Sequence, residues 1–394
     1  MTDSQFMGSL YTYPWDLTDE GLDISLDRIV DLTGCREVML TPCYHQSTYF
    51  RPHNSEGPVY FGENGAVYFT PDLSRYTETL MRPRVSAVVD HPEYFERIVE
   101  GIERRGLKLG VWIVYTFQTY MSQRYPQFAK HDAFGTAYEG QLSVSPEDVQ
   151  CYFAALTSDI VERFKPSVVL VESLMRRGFS VPSKRRAEMS PQCQFLMALD
   201  FNPAAIANAY KAGMDAEGFR QEVRQWLRLR LSRLPTEDDE RAVTDEWLAE
   251  AFGGRLDRYQ EICRGTTTAL WLRVADIIRL GGAAIQADAW ESARQRYNDL
   301  GAAIDGSIDR VPTGSLTPGE ESVRWVRDVK GRIAENGEVY VTPSVGRLTD
   351  SGPLEEQVGA ARDAGASGAL FYNYGLLRGE ELAFIGSSLR GLGA

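Results

Sequence analysis

Short apolar runs alternate along this chain with stretches whose apolar residues fall three and four apart, the signatures of strand and of amphipathic helix. The clearest run is Ser167 to Leu174 (SVVLVESL), where four consecutive apolar residues, three of them β-branched, follow Lys165-Pro166. A run apolar on both faces belongs to a strand covered on both sides, as in parallel sheets. Strands are predicted at Phe6–Tyr13, Glu37–Leu40, Leu107–Tyr115, Ser167–Leu174, Ala283–Ala287, Ala302–Ile304, Val339–Thr342 and Ala369–Tyr372. Helices are predicted between them at Asp19–Gly34, Pro92–Gly106, Pro146–Phe164, Thr266–Leu280, Glu291–Asp299, Glu320–Glu335 and Leu354–Ala364, with Glu380–Leu392 closing the chain.

Eight strands, each followed by a helix, predict an α/β fold, the (β/α)8 TIM barrel. A doubly wound open sheet alternates similarly, but it normally carries a glycine-rich phosphate turn after its first strand, and none is present. Two stretches break the rhythm. Pro58–Phe61 and Ala66–Phe69 flank Glu63-Asn64-Gly65 and predict a β-hairpin excursion after strand two. Residues 176–265 read as helical throughout and predict an insertion after strand four, a lid above the barrel. The expected organisation is therefore a first half-barrel over 1–175, the insertion, and a second half-barrel over 266–394.

The 394 residues carry 42 Lys and Arg against 55 Asp and Glu, a net charge of −13. No basic field is available to neutralise phosphates, which argues against nucleic acid as a partner. No apolar stretch is long enough to span a membrane, and the opening MTDSQFMGSLYTYPW lacks the basic-then-apolar pattern of a leader. The five cysteines are scattered without a CxxC pair. That usage fits a reducing compartment, so the expected location is the cytoplasm.

In a parallel barrel the catalytic groups gather at the carboxyl ends of the strands. Glu172 ends strand four, where a carboxylate needs a cavity or a partner, and it is the candidate proton-transfer group. The structural alternative pairs it with Arg176 or Arg177. The other strand ends present Tyr11, Tyr13 and Asp16, then Tyr44 and His45, Tyr115 and Gln118, Asp288, Asp305, Thr342 and Ser344, and Tyr372 and Asn373. Rings with carboxylates, hydroxyls and amides suit a carbohydrate, whose apolar faces stack while its hydroxyls hydrogen-bond. Glycoside hydrolysis needs two carboxyl groups. Asp288 and Asp305 are equal candidates to partner Glu172, and each is equally suited to cap a following helix.

Arg176, in the basic cluster after Glu172, is a candidate for an anionic substituent of the substrate. Schiff-base chemistry is disfavoured because Lys108 and Lys165 lie at strand starts. No HxH or HExxH spacing announces a zinc site, and no cofactor is expected. Two alternatives stay open: a metal-dependent sugar isomerase, epimerase or lyase using His45, Glu172 and Asp288, and a non-catalytic carbohydrate-binding barrel. The insertion also offers a surface for homo-oligomerisation.

The order YTYPWD, LTPCYH, VYFTPDLSRY, RRGLKLGVWIV and VVLVES resembles uncharacterised bacterial proteins described as hypothetical glycoside hydrolases with a family-10-like or α-amylase-like (β/α)8 barrel. The likeness covers most of the chain outside 180–265. It implies a glycosidase with a catalytic carboxylate at the end of strand four, which falls on Glu172. In the clan of the family-10 enzymes an Asn precedes that residue and a Glu ends strand seven. Here Val171 precedes it and strand seven ends Val341-Thr342-Pro343-Ser344, which shifts the partner's role to strand five or six.

Overall fold

A computed structural model describes the chain except for residues 1–5, 46, 55–56, 177, 180–188, 235, 237–241, 288–299, 301, 317–319, 332, 334–335, 347 and 393–394. Eight strands form a closed barrel: β1 (Met7–Thr12), β2 (Glu37–Tyr44), β3 (Lys108–Val114), β4 (Val168–Glu172), β5 (Ala284–Ala287), β6 (Arg310–Leu316), β7 (Glu338–Pro343) and β8 (Gly368–Phe371). All neighbours pair in parallel, and β1 meets both β2 and β8, which closes the cylinder. Helices cover the outside, so the outward residues of each strand and the inner stripes of the helices form one buried apolar cluster.

Side chains alternate in and out along each strand, which fixes what fills the barrel. Two inward positions admit only glycine. A Cβ on Gly110 of β3 would lie 2.3 Å from Met39 Sδ, and one on Gly368 of β8 would lie 2.3 Å from Met7 O and 2.5 Å from the Tyr340 ring.

The sixth strand differs from the sequence expectation. Ala302–Asp305 is a short helix, and the strand is Arg310–Leu316. Pro312 in that segment reads as a strand breaker. The ladder against β7 pairs Pro312 with Tyr340 and then shifts register before Ser315, an irregularity of the kind at which strands tolerate proline.

The excursion after β2 also pairs differently. Val59–Phe61 pairs with Thr48–Phe50, while Ala66–Val67 turns back against the end of β2 and takes Arg84–Val85 on its far side. Asn64-Gly65 is a connection between these pieces, and the Asn64 side chain accepts from Tyr120 N.

Four helices of the insertion, Pro191–Met197, Pro203–Lys211, Ala216–Leu231 and Asp245–Glu250, gather around their own apolar cluster with Phe195, Phe201, Phe219 and Leu227. The long helix Arg255–Leu280 runs unbroken through the expected boundary at 265. Its first half adds Leu256, Tyr259 and Cys263 to that cluster, and its second half adds Leu270, Trp271 and Val274 to the barrel's. Among the described residues no helix is long and apolar enough to cross a membrane.

The floor of the barrel is closed by charge. Glu37 at the start of β2 and Arg310 at the start of β6 meet at 2.6 Å, with side chains 1% and 6% exposed. These strands are four apart in a ring of eight, so the pair bridges the lumen. Ser9 also donates to Glu37, Arg310 Nε donates to Glu338 at 2.9 Å, and the guanidinium lies over the Tyr340 ring. Removing one partner would strand the other's charge. Arg310→Met is expected to lower unfolding stability by about 3–5 kcal/mol, and the double change Glu37→Met, Arg310→Met by distinctly less. Urea unfolding of the wild type and both variants checks this.

Candidate active site

Glu172 is the last residue of β4 and half-buried, on the same inward phase as Val168 and Leu170. Its Oε2 accepts a hydrogen bond from Trp112 Nε1 at 2.5 Å. Trp112 lies on β3, next to β4, and its ring stands edge-on to Tyr11 at 5.2 Å and to Tyr44 at 4.9 Å. Tyr13 and Tyr372 pack against it at 5.5 and 6.0 Å between ring centres. The hydroxyls of this group are chained: Tyr13 donates to Tyr44 at 3.3 Å and shares a 2.5 Å hydrogen bond with Tyr372. Across the lumen the Gln286 amide on β5 donates to Tyr11 Oη at 3.2 Å.

Burial holds the ionisation of Tyr13, Tyr44 and Tyr372 up, so their hydroxyls are neutral. The charge of Glu172 also acts on Tyr44 and Tyr372, which places its carboxylate within their field. Tyr372 is 42% exposed while Tyr11, Tyr13 and Tyr44 are nearly covered, so Tyr372 is the ring of the four that a ligand meets. His45 is half-buried, stacked on Tyr44 at 4.2 Å and against Phe117 at 4.6 Å.

Of the residues singled out from the sequence, the structure therefore brings together Glu172, Tyr11, Tyr13, Tyr44, His45 and Tyr372. Others fall elsewhere. Tyr115 lies on the outward phase of its strand, and its hydroxyl bonds Thr157 on the covering helix Glu147–Phe164 at 3.0 Å. Gln118 turns its amide back to Val114 O. Asn373 is wholly buried and caps the short turn Tyr374–Leu376 through Gly375 N. Arg176 is buried and directed into the insertion, where it donates to Gln260 at 2.6 Å on the long helix.

Asp305 ends a helix that precedes β6, which puts it at the amino ends of the strands, opposite the mouth. It is not a partner for Glu172. Asp288 lies outside the described residues. Among the described residues no three His, Cys, Asp or Glu side chains gather at metal-binding spacing.

Trp112, Gln286 and Tyr49, whose ring packs on Tyr13 at 4.9 Å and Tyr44 at 6.5 Å, belong to the site's wall and were missed by reading strand ends alone. Counting in twos forward from Gly110 finds Trp112 and Val114 facing in, opposite Leu170 and Glu172.

Asp16 lies on the short helix Pro14–Asp19 that follows β1 and is 2% exposed. Its oxygens have no hydrogen-bond partner among the described residues, and Arg51 Nη1 is 3.6 Å away. Burial raises its pKa to about 7 against the opposing pull of Arg51 and His53. Around it, Arg51 donates to Asp19 at 2.7 Å, and His53 bridges Glu20 at 3.0 Å and Leu377 O at 2.5 Å. These bonds tie the Thr48–Phe61 hairpin to the first and last loops of the mouth.

No protein-family model matches this chain, and no curated protein matches it. Solved structures do. An α-L-fucosidase isoenzyme 2 from Paenibacillus thiaminolyticus superposes with a TM-score of 0.58 at 10% identity, over 99% of this chain and 49% of its own. A β-galactosidase from Marinomonas ef1 gives 0.54 at 12%, over 98% and 59%. The PgaB (BpsB) glycoside hydrolase domain from Bordetella bronchiseptica gives 0.54 at 11%, over 93% and 94%. This chain thus spans about half to three-fifths of the first two. It shares with them the (β/α)8 barrel; at this identity the likeness is one of fold.

The buried acid has a pH signature. Between about pH 4 and 7 native Asp16 keeps a proton that the unfolded chain releases, so this group's contribution to stability falls as pH rises through that window, by up to about 4 kcal/mol. Asp16→Asn, which mimics the protonated form, is expected to gain stability relative to wild type from pH 4 to pH 8. Urea unfolding of both proteins across that range measures it.

Proposed function

We propose that this protein is a glycoside hydrolase-like enzyme that cleaves a glycosidic bond of a small glycoside or oligosaccharide by carboxylate acid/base catalysis. The observation that carries the reading is Glu172 itself: a half-exposed carboxylate at the carboxyl end of an inner strand, fixed by an indole donor and walled by tyrosines. Tyr372 offers a sugar a ring to stack on, and the Tyr13–Tyr44–Tyr372 hydroxyls lie beside it. The fold shared with glycoside hydrolases supports the same class.

The reaction requires a second carboxyl group. Asp288 follows the inward-facing Gln286 by two residues in the sequence and remains our candidate for it. Withdrawal of Arg176 into the insertion fits a substrate without an anionic group at that position. The cytoplasmic location belongs to the same proposal.

An aryl-glycoside panel tests it. Glu172→Gln is expected to lower kcat/KM by about 10²–10⁴-fold on whichever glycoside the wild type cleaves. Equal rates would remove Glu172 from the mechanism. Saturable sugar binding without turnover by the wild type would make the barrel a binding module instead.

A further inference from the structure

Trp112 takes no part in bond making in the reaction above, yet its geometry bears directly on the group that does. In register Trp112 lies opposite Leu170, and Glu172 lies opposite Val114, one inward position nearer the mouth. The indole therefore reaches up along the lumen to place its N–H on Glu172 Oε2. It is 3% exposed and has no room to swing aside, with Tyr11 and Tyr44 edge-on to it and Tyr13 and Tyr372 packed against it. A donor held this way bonds an ionised carboxylate more strongly than a protonated one, and fixes its direction.

Among the described residues, the charge of Glu172 acts on Cys43 and Tyr44 on β2 and on Tyr372 after β8. Each is an acid whose ionisation burial holds back, so each faces it as a neutral group.

We propose that Trp112 is a positioning residue that aims the Glu172 carboxylate and favours its ionised form. This rests on the glycosidase reading for its catalytic meaning. The positioning itself is measurable without turnover.

Trp112→Phe keeps a ring among the tyrosines and removes only the donor. It is expected to lower kcat by about 10–100-fold with KM changed less than threefold. With carboxyl-¹³C-labelled Glu, the Glu172 signal, assigned by its loss in Glu172→Gln, is expected to titrate about one pH unit higher in Trp112→Phe than in wild type. In the wild type, which needs no variant to fold, the Trp112 indole N–H resonance is expected to shift with the same midpoint as that carboxyl. A fall in kcat with no movement of the Glu172 midpoint would make Trp112 a packing residue and overturn the proposal, as would an indole resonance indifferent to Glu172. If the wild type turns over no glycoside, the glycosidase reading fails, and the two resonances still decide the role of Trp112.

Discussion

The ion pair between Glu37 and Arg310 is the fixed point of this barrel. It joins strands on opposite sides of the ring through side chains that have almost no contact with water. Two buried charges tolerate little displacement, because each loses its compensation as the other moves. Their meeting therefore sets which face of β2 and of β6 looks inward, and the parallel ladders carry that phase around the cylinder. From Glu37 the inward positions of β2 continue through Met39. On β1, Ser9 reaches Glu37 at the floor and Tyr11 reaches Gln286 higher up. The barrel is thus filled by charge at its base and by aromatic rings at its mouth.

That phase explains which parts of the site were legible in the chain itself. Glu172 could be found because a carboxylate near the end of SVVLVES is out of character with everything before it, and parity with Leu170 turns it inward. Tyr115 is of the same residue type as Tyr13 and Tyr44 and also follows a strand, but it sits one position out of phase, so it faces Thr157 and the covering helix. Trp112 has the opposite history: within LKLGVWIVY it looks like core, and parity alone distinguishes it. The eight-strand count was readable, yet one of its members was misplaced. Ala302–Ile304 has the apolar content of a strand, whereas Arg310–Leu316 hides behind a proline that a register shift absorbs. Asn64-Gly65 has the chemistry of a hairpin turn, but Ala66–Val67 finds better pairing against the end of β2.

Several polar groups near the mouth hold its walls. Arg51 and His53 anchor the hairpin on Asp19, Glu20 and the Leu377 carbonyl. Arg176 anchors the segment after β4 on the long helix through Gln260. That helix belongs to two cores at once, so one continuous element joins the insertion to the barrel wall. Residue type announces charge and hydrogen-bonding capacity; whether these serve a ligand or a loop depends on which element packs across from them, and that is a long-range fact.

Asp16 and Glu172 show how such surroundings divide labour between acids. Asp16 is covered, without a hydrogen-bond partner among the described residues, and burial outweighs the nearby arginine, so its carboxyl keeps a proton up to about pH 7. Glu172 is half-exposed and takes a direct donor from a ring that cannot withdraw. Desolvation without donors favours the neutral acid, and a fixed donor favours the anion. The covered acid lies beneath the hairpin, where neutrality lets a polar group be buried with little cost in charge. The open acid lies where a ligand can reach it. Access and a fixed N–H thus set Glu172 apart from Asp16, whatever ligand the mouth receives.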